Sequence, residues 1–324
     1  MELIRGLHNL RPEHRGSVVT VGAFDGIHRG HLGVLEQLRR CGEELALPTT
    51  AVVFEPLPRE YFQPLEAPPR ITNLRERLQA LAATGIDRVL VMVFNEALQA
   101  WSADDFIERV FVGGLGARHI VLGDDFRFGN AREGDFSYAQ AAAQRHGYSV
   151  EKMDTVLIDD ERVSSTRLRA ALMAGDFVEA EHLLGRPYTM TGRVEYGRQL
   201  GRTLDTPTAN VRLDRIRSPL AGVFTVRVSG AGLDNVDGVA NVGTRPTVDD
   251  SLTASLEVHL LDRKVDLYGR RLTVTFLHKL RDEQKFDSLE ALKDNIEQDK
   301  THARAWHKAH PAIRNNCAAD TAPV

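Results

Sequence analysis

His28 and His31 stand three residues apart in the string Gly22-Ala23-Phe24-Asp25-Gly26-Ile27-His28-Arg29-Gly30-His31. A β-branched run, Ser17–Val21, leads into the string. Leu32, Leu35 and Leu38 then mark the inner side of a following helix. Both imidazoles therefore fall at a strand-to-helix turn, where a helix start offers unpaired N–H groups and partial positive charge. Gly22, Gly26 and Gly30 allow a phosphate chain to approach the backbone. Two imidazoles in this setting can donate hydrogen bonds to a triphosphate. The alternatives are a pair of surface histidines, or a metal held by His28, His31 and Asp25 without a recognisable fourth ligand.

Ser164-Ser165-Thr166-Arg167-Leu168-Arg169 has the form of a second helix start, capped by Ser164 or Ser165 and bearing two arginines. Such a start suits an anion, although Ser-Ser-Thr can open any helix. Gly123-Asp124-Asp125-Phe126-Arg127-Phe128-Gly129 directly follows the strand-like run His119–Leu122. Its aromatics could touch a flat ring while Asp and Arg fix the polar edge, or they could be core residues. Glu55 to Phe62 offers a similar aromatic loop. Gly113-Gly114-Leu115-Gly116 precedes a strand rather than opening a helix, so it reads as a turn and not a dinucleotide fingerprint.

The second half carries different chemistry. Gly192 opens Gly-Arg-Val-Glu-Tyr-Gly, followed by Gly201-Arg202-Thr203 and Pro207-Thr208-Ala209-Asn210. Gly197 to Thr203 is one residue too short for a P-loop and has Arg where Lys is needed. A glycine-rich turn can still cover phosphates. Thr208 and Asn210 alternate on one strand face, so their oxygens could share a Mg²⁺ ion or merely stabilise a turn. In Ser255-Leu256-Glu257-Val258-His259-Leu260, strict alternation sets Glu257 and His259 opposite the apolar face. A strand carboxylate is ordinarily solvated; positioned in a site, it can take a proton from a substrate hydroxyl.

These groups need elements to hold them. In the first half the runs Ser17–Val21, Thr49–Phe54, Arg88–Phe94 and His119–Leu122 alternate with helical periodicity, such as Leu74, Leu78 and Leu81. Ser102-Ala103-Asp104-Asp105 resembles a capping box. The alternation predicts an α/β doubly wound parallel sheet, with ligands at the carboxyl ends of its strands. After Leu184-Gly185-Arg186 the pattern changes to short runs: Thr189–Tyr196, Thr208–Leu213, Gly222–Val228, Gly238–Val242, Ser255–Leu261 and Leu272–Leu277. They predict a small antiparallel β-barrel followed by a helix from about Ser288 to Ala309. The expected domains are 1–186 and 187–312, with a flexible tail over 313–324.

Length and composition agree with two soluble domains: 324 residues, 42% hydrophobic and 27% charged. The net charge of −4 divides into −6 through Arg186 and +2 after it, without the basic excess of a nucleic-acid-binding surface. No apolar run approaches a membrane span and the N-terminus lacks signal-peptide character. Cys41 and Cys317 are far apart with no CxxC spacing, which implies neither a disulfide framework nor a thiolate metal site and fits a cytoplasmic protein. No lysine precedes Lys152, and none lies between it and Lys264. Phosphate handling in the first half must then use His, Arg, backbone N–H groups or a metal.

His28-Arg29-Gly30-His31 resembles the HxGH signature of a nucleotidyltransferase superfamily. The fuller strings GAFDGIHRGH, DFRFG and SSTRLR resemble the adenylyltransferase module of bacterial bifunctional riboflavin kinase/FAD synthetases. GRVEYGRQLGRT, PTAN, GVANVGTRPTV, LEVHLLD, DLYG and LRDEQKF resemble the riboflavin kinase module along nearly all of the second half. Leu204-Asp205-Thr206 replaces the more usual Leu-Gly-Phe before PTAN. The resemblance implies that ATP phosphorylates riboflavin to FMN and that a second ATP adenylylates FMN to FAD, with release of pyrophosphate.

It further implies that His28 and His31 act on the triphosphate, within an ATP site that includes Gly22, Phe24, Asp25, Gly30, Ser164, Ser165, Thr166 and Arg169. Phe62, Asp124 and Phe128 would lie near adenine or flavin. In the kinase, Gly192, Gly201 and Thr208 would meet ATP, Thr208 and Asn210 would hold Mg²⁺, Glu257 would be the general base, and Arg281 would border the flavin. The implied partners are small molecules: riboflavin, FMN and ATP. Two other classes stay open, namely adenylylation or cytidylylation of another phosphorylated acceptor and a flavin-binding sensor without turnover.

Overall fold

The computed structural model describes residues 1–196, 207–246, 252–263 and 265–311. Gly201, the Asp205-Thr206 departure and the tail over 313–324 lie outside them. Contacts divide the chain into two compact units. The first comprises Met1–Ala174, Val178–Arg186 and Arg215–Pro219. The second comprises Gly175–Phe177, Pro187–Asp214 and Leu220–Val324.

The first unit is built on a six-stranded sheet of β1 (Glu2–Arg5), β2 (Val18–Val21), β3 (Thr49–Glu55), β4 (Arg88–Val93), β5 (His119–Leu122) and β6 (Ser149–Lys152). The order is β1-β4-β3-β2-β5-β6, and every pair is parallel. Helices α1 (Arg29–Leu45), α2 (Pro58–Phe62), α3 (Leu74–Ala82), α4 (Glu96–Gln99), α5 (Ala103–Phe106), α6 (Phe136–His146), α7 (Ser165–Ala174) and α8 (Phe177–Leu184) complete its main elements. Alternate strand residues feed two cores. Val19, Val21, Leu90, Met92 and Ile120 enter one; Val18, Val53, Val89, Val91 and Val121 enter the other. Burial on both faces is why the inner strands read as continuous apolar runs.

The doubly wound sheet expected from the sequence is present. Its two edge strands, β1 and β6, are additional: ELIR and SVEK are too polar to announce themselves, because an edge strand is covered less completely. Ser102 caps α5 and exchanges hydrogen bonds with Asp105, as its spacing predicts. The chain steps outward from β2 through β3 to β4 and then crosses back to β5 on the other side of β2. The β2–β5 junction is therefore the topological switch point, where a crevice opens beyond the strand ends.

In the second unit, β9 (Thr189–Glu195), β10 (Ala209–Arg212), β11 (Gly222–Gly230), β12 (Leu233–Pro246), β13 (Leu252–Leu260) and β14 (Arg271–Arg281) close a barrel. All six pairings are antiparallel. Met190, Val194, Phe224, Val226, Ala240, Leu256, Val258, Leu272 and Phe276 are buried in it. A six-stranded barrel is filled by such side chains, so a ligand must bind outside it. Helix α9 (Leu289–Ala309) is capped by Ser288, which accepts from the Ala291 N–H. Its Ala303 packs with Val223, Val239 and Leu261.

Candidate functional site

The first unit's crevice, with a cavity volume of about 410 Å³, lies at the switch point. Gly22, Phe24, Asp25, His28, Gly30, His31, Asp124, Ser164, Ser165, Thr166 and Arg169 all line it. Sequence reasoning thus picked residues from three separate loops that the fold brings together.

His28 is the N-cap of α1: its Nδ1 accepts the His31 N–H at 3.3 Å. The neutral ring consequently carries its proton on Nε2. The two imidazoles stack, 3.7 Å between centroids and 15° between planes. Burial pushes the His28 pKa down to about 4, with Asp25 opposing the shift. Burial and the neighbouring His28 hold the half-buried His31 well below the usual imidazole range. Both rings are therefore neutral near pH 7, and each carries one N–H donor in place of a charge. His31 Nδ1 is buried and finds no hydrogen-bond partner among the described residues, a group left for a ligand to satisfy. At Gly30 a Cβ would press on the His28 ring and the Val163 carbonyl, which explains the glycine between the histidines.

These shifts set a pH dependence. Above about pH 6.5 His28 is neutral both folded and unfolded; between 6.5 and 4 only the unfolded chain takes up the proton. Stability of the first unit is expected to fall as pH drops through that window, by up to about 1.4 kcal/mol per pH unit for this group. His31 adds in the same direction. Urea midpoints at pH 7, 6 and 5 check the slope, which should be shallower in His28→Asn.

Asp25 lies 2% exposed beneath the loop. Its carboxylate accepts from the Ile71 and Thr72 N–H groups and from the Thr72 hydroxyl, and it pairs with Arg169 at 2.6 Å. Arg169 also donates to the Pro69 carbonyl, and Ser165 Oγ donates to the Asp25 carbonyl at 3.0 Å. Asp25 is thus a tie between three segments, and the His28–His31–Asp25 metal reading gains no support from it: its lone pairs are engaged. Phe24 and Ile27 hold left-handed φ angles of 48° and 43°, strain that this network sustains. Asp25→Asn should cost about 2 kcal/mol, since hydrogen bonds to a charged acceptor are the stronger ones; a urea melt measures it.

Ser164 caps α7 by accepting the Arg167 N–H at 3.2 Å. Asp124 accepts from Thr155 and, at 2.8 Å, from Arg162. Phe128 does not line the cavity. It is 5% exposed in the core, where it packs against Phe106 and Tyr138. Its stacked neighbour Phe126 lines the crevice instead. Phe62 is 54% exposed, in a ring cluster with Tyr61 and Phe94, and is also absent from the lining. Arg162 was missed by sequence reasoning. It reaches the crevice from the hairpin of β7 (Leu157–Ile158) and β8 (Glu161–Arg162), turned by Asp159 and Asp160 at φ 54° and 59°. The Asp-Asp pair, tolerant of such angles, was the available signal.

On the barrel, register does the assembling. Asn210 lies opposite Glu257 across β10–β13, and Glu257 opposite Asn241 across β13–β12. Leu256 and Val258 point into the core while Glu257 and His259 are half-buried on the other side. Thr208 Oγ1 is 3.5 Å from Glu257 Oε2. His259 Nδ1–H donates to the Pro207 carbonyl at 3.0 Å, holding the approach to Thr208 against β13. Asn241 was not foreseen, nor was the bond from His259 to Pro207, since these partners lie far away in sequence. Gly192 is a buried β9 position, where a Cβ would overlap the Arg212 carbonyl oxygen, so strand packing accounts for it. The Arg281 guanidinium is engaged by both Asp299 oxygens at 2.8–3.2 Å.

A profile for FAD synthetase matches residues 10–167, and one for riboflavin kinase matches residues 184–307. A bifunctional riboflavin kinase/FMN adenylyltransferase of Pseudomonas fluorescens is 53% identical over 94% of this chain and 97% of its own length. This chain belongs to the bifunctional riboflavin kinase/FMN adenylyltransferase family. An Escherichia coli K12 member of the family is 46% identical, over 94% of this chain and 98% of its own. A Streptococcus pneumoniae crystal structure described as a macrolide-efflux protein superposes with a TM-score of 0.76 at 30% identity, over 94% of this chain and all of that one. No helix among the described residues is long and apolar enough to cross a membrane.

Proposed function

We propose that the chain makes flavin cofactors in two ATP-dependent steps carried by different units. The barrel unit transfers the γ-phosphoryl of ATP to riboflavin, giving FMN. The parallel-sheet unit transfers AMP to FMN, giving FAD and pyrophosphate. The observation that carries this reading is the pairing of near-full-length similarity to bifunctional enzymes with a neutral imidazole pair at the head of α1. Incubation with riboflavin, ATP and Mg²⁺, then chromatographic separation of FMN and FAD, tests it. Competition between FMN and other phosphorylated acceptors tests the alternative adenylyl acceptors.

In the adenylyltransferase, His28 and His31 donate to the triphosphate and to the charge that grows on the departing pyrophosphate. The α1 N-terminus contributes its dipole at the same point. Arg169, Ser165 and Asp25 hold the loop in shape; Ser164 and Thr166 flank it at the start of α7. Asp124 and Phe126 face the flat part of a nucleotide or flavin, with Phe62 and Phe128 behind or beside them rather than in the crevice. Both reactions rest on positioning and charge stabilisation.

In the kinase, Glu257 takes the proton of the ribityl hydroxyl. Thr208 and Asn210 offer neutral oxygens beside that carboxylate, a hard donor set that fits Mg²⁺. When bound, the ion would neutralise charge on the ATP phosphates. Arg281, fixed by Asp299, borders the flavin side. The domain division at residue 186 and a cytoplasmic location, where ATP is plentiful, belong to the same reading.

A further inference from the structure

Cys41, His119 and Glu151 converge from α1, β5 and β6 on the face of the sheet that α1 covers. Register explains the encounter. His119 and Val121 share one face of β5, Val121 is paired with Glu151 on β6, and Val121 belongs to the core under α1 together with Cys41. The ligand atoms Sγ, imidazole nitrogen and carboxylate oxygen all lie within 4.8 Å of one another. Cys41 Sγ is 3.8 Å from Glu151 Oε2, and His119 Nε2 is 3.5 Å from the same oxygen.

Those separations have the size of a tetrahedral edge. With metal–ligand bonds of roughly 2.0–2.3 Å, neighbouring ligand atoms around Zn²⁺ stand about 3.4–3.7 Å apart. The histidine is also set in the tautomer that a metal needs. Ser149 Oγ donates to the Arg118 carbonyl at 3.3 Å, so it accepts from His119 Nδ1–H at 2.7 Å. That leaves Nε2 as a bare lone pair, and this atom is buried without a hydrogen-bond partner among the described residues. A ligating histidine fixed through its other nitrogen is the usual arrangement behind a metal.

We infer that Cys41 Sγ, His119 Nε2 and the Glu151 carboxylate form a three-ligand site for a thiophilic divalent cation such as Zn²⁺. Binding exchanges the thiol proton, now directed at Glu151, for the metal and releases it to solvent. The cation would staple the C-terminal half of α1 to β5 and β6. The opposite end of α1 bears His28 and His31, so the staple would stiffen the helix that presents the imidazole pair. Sequence spacing carries no trace of the site, because its ligands are 78 and 32 residues apart on three elements.

The test uses the full chain with Cys317→Ser, stripped of metal by a chelator and titrated with Co²⁺. One equivalent is expected to give thiolate-to-cobalt charge-transfer absorption that Zn²⁺ then displaces. Cys41→Ser should abolish that band, and His119→Gln should weaken Co²⁺ binding at least about tenfold while FAD formation confirms the fold. No charge-transfer band in the parent, a band surviving Cys41→Ser, or unchanged affinity in His119→Gln would each overturn the assignment. Should Cys41→Ser fail to fold, the His119→Gln affinity decides alone.

Discussion

His28→Ala is expected to slow FAD formation from FMN by roughly a hundred- to a thousandfold, the cost of removing one transition-state hydrogen-bond donor, about 2.7–4 kcal/mol. Riboflavin phosphorylation should continue at the parent rate, because the residues assigned to it belong to the barrel unit. The substitution removes two things. One is the Nε2–H assigned to the triphosphate; the other is the Nδ1 that accepts the His31 N–H and caps α1. His28→Asn separates them, since asparagine is itself a good N-cap. It should recover the stability lost by His28→Ala, about 1 kcal/mol for a missing cap, while FAD formation stays impaired. Chromatographic assays of both half-reactions, with urea melts of each variant, provide the check. Equal loss of both activities in His28→Asn would instead mean that the residue serves folding.

The imidazole pair also shows why neutrality matters. A lysine at the same place would bind triphosphate with full charge in the ground state as well as in the transition state. Such uniform binding does not raise the rate of the chemical step. Buried rings, neutral at pH 7, add little charge to the resting site and respond as charge grows on the leaving pyrophosphate. The lysine-free first 151 residues fit this mode of phosphate handling.

Residues whose role depends on local spacing were readable in advance. The string around His28 marks the helix start, Ser164 caps the next helix, and Ser102–Asp105 close a box, because each involves atoms within three residues; that His28 itself caps α1 emerges only from the structure. The inner strands were readable because burial on both faces leaves no polar interruption. What escaped depends on partners distant in sequence. Phe126 and Phe128 are two residues apart, and only the packing of Phe106 and Tyr138 decides which ring enters the core. Arg281 is fixed by Asp299 on α9, a partner its own string does not announce. Gly192 faces a β10 carbonyl that leaves no room for a side chain, a requirement set by strand pairing and not by its own string. Asn241 becomes a neighbour of Glu257 only through the β12–β13 register.

Glu257→Gln should reduce FMN formation by a factor of about 10² to 10⁴, the usual contribution of a positioned general base, and leave FMN-to-FAD conversion intact. Glutamine keeps the shape and can still meet Thr208, 3.5 Å away in the parent, so strand packing should not change. Leu256 and Val258, which carry that packing, point to the other face. The distinguishing readout is which kinetic constant moves. Loss of a base lowers kcat with little effect on the KM for riboflavin, whereas loss of a mere binding contact raises KM. Asn210→Ala offers the contrast: if Asn210 holds Mg²⁺–ATP, its removal should raise the ATP and Mg²⁺ requirements more than it lowers kcat at saturation. A Glu257→Gln enzyme with parent kcat would remove the carboxylate from the chemistry. The row of Asn210, Glu257 and Asn241 would then be a polar seam on the barrel surface.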